Sequence, residues 1–319
     1  METKQLCVAN VNLVFGKDEE PLIQHLDDIV LPALQSGIVR EATSKTRYIF
    51  EDVCLNEISE DNWVIQGILI KDTILDVMSE YTHTAGLQKT DKHVKSSPYS
   101  LFILYLKNHR MVLVKNQAGS PDIRSFSGTF KYVIKTYINI YNRQMSAGAG
   151  DRKLPLQSVS VSGIKTAGSV KESLKDVEKI NQLIIKFFPL NAEWDYDPIF
   201  GAIDAKIRKT IQSKKGRMVF PSPKSIDGVA EMIEATEGLV KTELKVTYKA
   251  DNPLEDDARR RSGTIKDDQI SEIMSVDVYN SLDEAYDEIN RFGQNIHALN
   301  YQTPNHIIDY EEFLKTRKK

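Results

Sequence analysis

Two short stretches carry residue types and spacings that could do chemistry. The first is KTELK, in which Lys241, Glu243 and Lys245 alternate along a predicted strand and so share one face. A glutamate and a lysine at this spacing, joined by an upstream acid, suit a Mg²⁺-dependent nuclease. The carboxylates would hold the ion and the lysine would orient water. Asp227 is the nearby acid, but it falls in the first turn of a predicted helix, where capping and the helix dipole already account for an aspartate.

The second stretch is DAKIRKTIQSKKGRMVF. After Asp204 it carries Lys206, Arg208, Lys209, Lys214, Lys215 and Arg217 with no further acid. Ile199, Ile203, Ile207 and Ile211 recur every fourth residue, so a helix here turns one isoleucine row inward. The cations then point sideways or outward. Cations near a helix C-terminus are favoured by about 0.3–1 kcal/mol each, which explains their position better than their density. Two readings stay open, a solvated face and a surface that holds phosphate.

Other motifs exclude themselves. There is no HExxH, no paired CxxC and no GxSxG. SGIKT resembles the end of a phosphate-binding loop, but Ile164 separates Gly163 from Lys165 and the first glycine is missing. The histidines are scattered and read as surface or packing residues. Cys7 and Cys54 fit no metal spacing and read as reduced, packed thiols. No catalytic residue, metal or cofactor is assigned. ARRRSG places Arg259, Arg260 and Arg261 directly after EDD, in a loop whose charges partly neutralise each other and which could still touch a nucleic-acid backbone. No helix-turn-helix or zinc-finger pattern is present, so sequence-specific readout is not expected.

The whole chain has 319 residues, 41% hydrophobic and 27% charged, which predicts a globular chain of about two domains or one large one. Its net charge of −3 does not draw it to nucleic acid, so any such binding must come from a local patch. Charge is segregated along the chain. The segment from Arg152 to Arg217 is net positive, while acids gather in NPLEDD and LDEAYDE. The opening residues lack the features of a secretory signal, and no apolar run approaches the ~18 residues that span a bilayer. A cytoplasmic protein is expected.

Alternation in QLCVANVNLVF predicts a first strand with a phase change near Asn10. DEEPLIQHLDDIVLPALQSG predicts a helix ending near Gly37. LFILYLKNHRMVLVK predicts a hairpin turning at Lys107–Asn108–His109. A helix follows over 122–142, with Phe126, Phe130, Val133, Ile134, Tyr137 and Tyr141 inward and Arg124, Lys131 and Lys135 on another face. MSAGAGDRKLPLQ is linker-like. The expected fold is α+β in two domains. Residues 1–148 form an antiparallel sheet with helices, 149–157 form a linker, and 158–319 form a ferredoxin-like domain with the basic helix.

Two segments carry a family resemblance. SSPYSLFILYLKNHRMVLVKNQAGSPDIRSFSGTF places a hairpin, a Pro-containing turn and a helix in order. KGRMVFPSPKSIDGVAEMIEATEGLVKTELKVTYK places strand, Pro-Ser-Pro, helix and strand. Together they resemble the RexA-like phage-exclusion proteins, over about half the chain. The resemblance implies a homodimer that binds the phosphate backbone of double-stranded DNA without sequence specificity. It also implies abortive infection through a membrane-protein effector, and no catalytic residues. The alternatives are the Mg²⁺-dependent nuclease built on Glu243 and Lys245, and a protein-interaction scaffold whose basic segment is only solvated.

Overall fold

Strand β1 (Thr3–Phe15) shows how this chain builds its core, because both of its faces are buried. Ala9, Val11, Leu13 and Phe15 enter one apolar cluster, and Leu6 and Val8 enter another. No phase change is needed at Asn10. The second face continues as Asn10 and Asn12, which are buried although polar. A one-sided reading of alternation mistakes this switch from apolar to polar for a slip in period.

The computed structural model describes residues 3–146, 153–188, 210–213, 215–236, 238–249, 261–266, 273–277, 281–300, 302 and 304–318. After β1 come β2 (Glu20–Pro21) and helical turns over Leu22–His25 and Leu26–Val30 that lead into α1 (Leu31–Leu34). Gly37 follows with φ +68°, as its place after a helix predicts. Next are β3 (Arg40–Thr43), β4 (Thr46–Ser59), β5 (Asn62–Thr82), β6 (Gly86–Ser96), β7 (Tyr99–Tyr105), β8 (Arg110–Lys115) and α2 (Ile123–Ser146). The chain continues through β9 (Gln157–Gly163), α3 (Ala167–Ser173), β10 (Val177–Phe187), β11 (Gly216–Pro221), α4 (Ile226–Glu234), β12 (Lys241–Tyr248) and β13 (Ser262–Lys266). It closes with β14 (Ile273–Asp277), α5 (Leu282–Gly293), α6 (His297–Asn300) and α7 (Pro304–Arg317). The fold is α+β. Among the described residues, no helix is long and apolar enough to cross a membrane.

The larger sheet has ten antiparallel strands in the order β14-β1-β8-β7-β5-β4-β3, with β2 and β9 also on β1 and β6 on β5. One face packs on α1 and α2 through Phe126, Phe130, Val133, Ile134 and Ile138. The other packs on α5 through Ala285, Tyr286 and Ile289. The β7–β8 hairpin turns where predicted, with His109 at φ +55° and Asn108 donating to the Leu299 carbonyl at 2.6 Å.

The sheets do not divide at the expected boundary near residue 150. β9 pairs with β1 from Gln157 to Gly163, and β14 pairs with β1 from Ile273 to Asp277. Both lie beyond that boundary in sequence. Helices α5 to α7 also return to the larger sheet, where the Trp63 N–H donates to the Tyr310 hydroxyl at 2.8 Å. The smaller sheet is therefore inserted between β9 and β14. Cys54, expected to be packed, is exposed on β4, while Cys7 is half-buried on β1.

The smaller sheet has the order β11-β10-β12-β13. β11 and β12 are each antiparallel to β10, hence parallel to one another, and α4 makes the crossover between them. Leu183, Ile185, Leu244 and Val246 pack against Val170 of α3 and Val229 and Ile233 of α4. Gly238 lies three residues past the α4 C-cap, Ala235, at φ +74°. A Cβ there would stand 3.3 Å from Ile164 and 3.5 Å from Asn10. This close approach sets the end of α4 against the buried polar strip of Asn10 and Arg110, and so fixes the smaller sheet against the larger one.

Candidate nucleic-acid interface

Helices α3 and α4 cover one face of the smaller sheet. The alternate side chains of its strands point the other way. Register places them in rows. Arg217, Lys186 and Lys241 are cross-strand neighbours on β11, β10 and β12. The next row is Val219, Ile184, Glu243 and Lys266, and the third is Pro221, Gln182, Lys245 and Thr264. Five cations thus share a face with one acid. Like charges directly opposite one another destabilise a sheet, and in the Arg217–Lys186–Lys241 row Lys186 is paired with Glu243 of the next row.

Helix α2 faces this surface. Arg124, Ser127 and Gly128 line a cleft of about 570 Å³ whose other wall includes Lys186, Lys241, Glu243 and Lys266. Arg40 stands behind Gly128, where a Cβ would come within 3.0 Å of its guanidinium. That guanidinium donates to Thr129 Oγ1 at 3.3 Å and lies 5.5 Å from the centre of the Tyr48 ring. Glycine at 128 lets the cation approach the helix and brings it beside the cleft. Lys186 Nζ donates to Glu243, and that bond holds the Glu243 carboxyl below its ordinary range, assisted by the charges of Lys245 and Lys266.

The residues singled out by sequence are distributed unevenly. Arg124 lines the cleft. Lys131 and Lys135 are exposed on α2, and their spacing of seven and eleven from Arg124 makes one stripe. Arg217 joins the basic row, and Lys215 is exposed just before it. Arg261 is exposed near the opposite end of the sheet, 5.0 Å from the Tyr248 ring centre. Lys206, Arg208, Lys209, Lys214, Arg259 and Arg260 lie outside the described residues. Sequence pattern did not single out Lys266 or Arg40. The alternation of β13 could have found Lys266, but no local signal points to Arg40.

The paired-carboxylate arrangement does not form. Asp227 is in the first turn of α4, behind N-cap Ser225, and pairs with Lys171 at 2.8 Å in the helical layer. Glu243 is on the opposite face of the sheet. Among the described residues no cluster of His, Cys, Asp and Glu is arranged to hold a metal ion. In SGIKT, Gly163 ends β9, Lys165 is buried, and Thr166 caps α3 in a reciprocal box with Ser169, so these residues are taken up by the fold.

What remains chemically is a row of fixed cations beside a cationic cleft. It is suited to hydrogen-bonding and charge-pairing with phosphate oxygens. Neither a scan against protein-family models nor a comparison with curated proteins finds a match for this chain.

Proposed function

We propose that the chain binds the phosphate backbone of double-stranded DNA without reading sequence, and that it acts without catalysis in phage exclusion or antiphage defence. The observation that carries this reading is the Arg217–Lys186–Lys241 row, cations set side by side across three strands and facing Arg124. Such a row gains from a polyanion. The three rows hold no aromatic side chain, so they favour backbone contact over the base stacking used for single strands. In this reading the protein is a cytoplasmic homodimer. Doubling a modest patch raises the avidity for a long polyanion. Signal output would pass to a membrane-protein effector, as the RexA-like resemblance implies.

The test is fluorescence anisotropy of a labelled mixed-sequence duplex of about 30 base pairs, titrated at several salt concentrations. Affinity should fall steeply with salt and change little with sequence. It should drop at least about tenfold when Arg124, Lys241 and Arg217 are replaced together by Gln, because each cation that pairs with a phosphate drives binding by releasing a counterion. No binding at low salt would overturn the reading and leave the scaffold alternative.

A further inference from the structure

Helix α2 has a gap in its outer face. Arg124, Gly128, Lys131 and Lys135 are spaced four, three and four residues apart, so they follow one line along the helix. Three of the four are exposed cations, and the glycine has no side chain to offer. The guanidinium of Arg40, which comes from the edge strand β3, lies over this glycine. A Cβ built on Gly128 would stand 3.0, 3.1 and 3.2 Å from its Nη1, Cζ and Nη2. Such near-equal distances mean that the flat group covers the place of the missing side chain. It is held there at two points. Nη1 donates to Thr129 Oγ1 at 3.3 Å, and Cζ is 5.5 Å from the centre of the Tyr48 ring. Thr129 Oγ1 is itself fixed, because it donates to the Ser125 carbonyl at 2.8 Å. A cation from a distant strand thus completes a basic line along α2, in the order Arg124, Arg40, Lys131 and Lys135.

We infer that this line binds one strand of the DNA backbone, and that Arg40 is a phosphate contact within it. Charge supports this occupant. Helix α2 runs for 24 residues, Ile123–Ser146, with no acid in that span. A solvated surface ordinarily mixes signs. Among the described residues Arg40, Lys131 and Lys135 pair with no carboxylate. Arg40 is half-buried, and a cation drawn out of water without a carboxylate partner favours an anion from outside. Only one of its N–H groups is bonded among the described residues, so others remain for a two-pronged contact with phosphate oxygens. The line also starts in the right place, because Arg124 lines the cleft beside the basic rows of the smaller sheet. From Arg124 to Lys135 it covers about 16 Å of helix. One strand of a duplex carries a charge every ~3.4 Å of its axis, so about five phosphates pass along that length.

This inference rests on the DNA-backbone reading and adds a contact residue to it. Anisotropy of the labelled duplex over the same salt series tests it on the full chain, with urea denaturation to check that each variant is folded. Arg40→Gln keeps a donor for Thr129 and removes the charge. It should weaken binding about fivefold at low salt and lower the salt slope by about 0.9, the share of one phosphate. Arg40→Ala should do the same. Adding Gly128→Lys to Arg40→Ala should regain most of the lost affinity and slope, because it sets a cation back on the line from the helix itself. A residue that only braces α2 would not be replaced in this way. Should Arg40→Gln fail to fold, the double variant decides, with near wild-type binding expected. Wild-type binding with affinity and slope unchanged in folded Arg40→Gln would overturn the inference and leave the DNA reading standing. A loss that Gly128→Lys does not repair would make Arg40 a packing residue and overturn the inference too. A wild-type protein that does not bind at low salt would overturn both.

Discussion

Lys186 on β10 donates to Glu243 on β12, and Glu243 is the only acid in the three basic rows of the smaller sheet. The pair places one negative charge beside Arg217, Lys186 and Lys241. It serves the folded state by relieving repulsion, and it opposes an incoming phosphate.

Replacing Glu243 by Gln should therefore raise DNA affinity several-fold at low salt, since one repulsive charge is removed among cations. A nuclease that used Glu243 would instead lose its activity. Without DNA the variant should be less stable than wild type at pH 7. The folded carboxyl titrates below the ordinary glutamate value of 4.5, so its contribution is present above that pH and is lost as pH falls through the folded value. Urea midpoints of the two proteins should converge as pH falls through that folded value.

The stripe on α2 separates a local patch from an extended one. Arg124→Ala should lower DNA affinity and reduce the salt slope by about 0.9 for each phosphate that is no longer neutralised. Lys131→Ala and Lys135→Ala lie one and two further steps along the helix. Each should weaken binding by about twofold if the backbone follows α2 beyond the cleft. Anisotropy over the same salt series measures both effects.

Asp122 accepts from the Ser125 N–H at 2.8 Å and caps the helix that carries Arg124. Burial alone would push its carboxyl up. The hydrogen bonds from the Ser125 amide and hydroxyl, with the charges of Lys115 and Arg124, outweigh that and hold it below its ordinary value of 3.8. Asp122→Ala should cost about 1 kcal/mol at pH 7, the usual worth of such a cap. Because the folded value is depressed, that cost is present above the unfolded value and disappears as pH falls through the folded one. Chemical denaturation over a series of falling pH should show the difference closing below the ordinary value.

Tyr310 ties the last helix to the first half of the chain. Its buried hydroxyl accepts from the Trp63 N–H at 2.8 Å and donates to the Asp61 carbonyl at 2.9 Å. Tyr310→Phe leaves the Trp63 amide without this acceptor and should destabilise the protein by about 1–3 kcal/mol. Hydrogen exchange should speed up at the β4–β5 turn and along α7, while α4 and the smaller sheet stay protected.

Local pattern predicted much of this fold. Continuous apolar runs of strand length, SLFILYL and RMVLVK, found β7 and β8, and the polar Lys107–Asn108–His109 break found their turn. The spacing of Phe126, Phe130, Val133 and Ile134 found α2 and its buried face. The β5–β6 pairing beyond Thr73 is not legible in the same way, because ILDVMSEYT and GLQKTDKHVKS mix polar and apolar residues without a buried face. They carry no core period to detect.

By itself, the sequence determined that Lys241, Glu243 and Lys245 share a face, because side chains alternate along any strand. It also determined that Arg124, Lys131 and Lys135 leave the core side of a helix, because that helix must bury its phenylalanines. Only the tertiary structure decided that these two surfaces meet across one cleft, and that Asp227 and Glu243 do not meet at all. Strand register decided that Arg217 and Lys186 are neighbours, and the return of β9 and β14 to β1 decided how the smaller sheet is held. The physical reason is the same in each case. Helix and strand periods are local and are written in adjacent residues. Pairing between distant strands is chosen by burial and hydrogen bonding over the whole chain, which no short window contains.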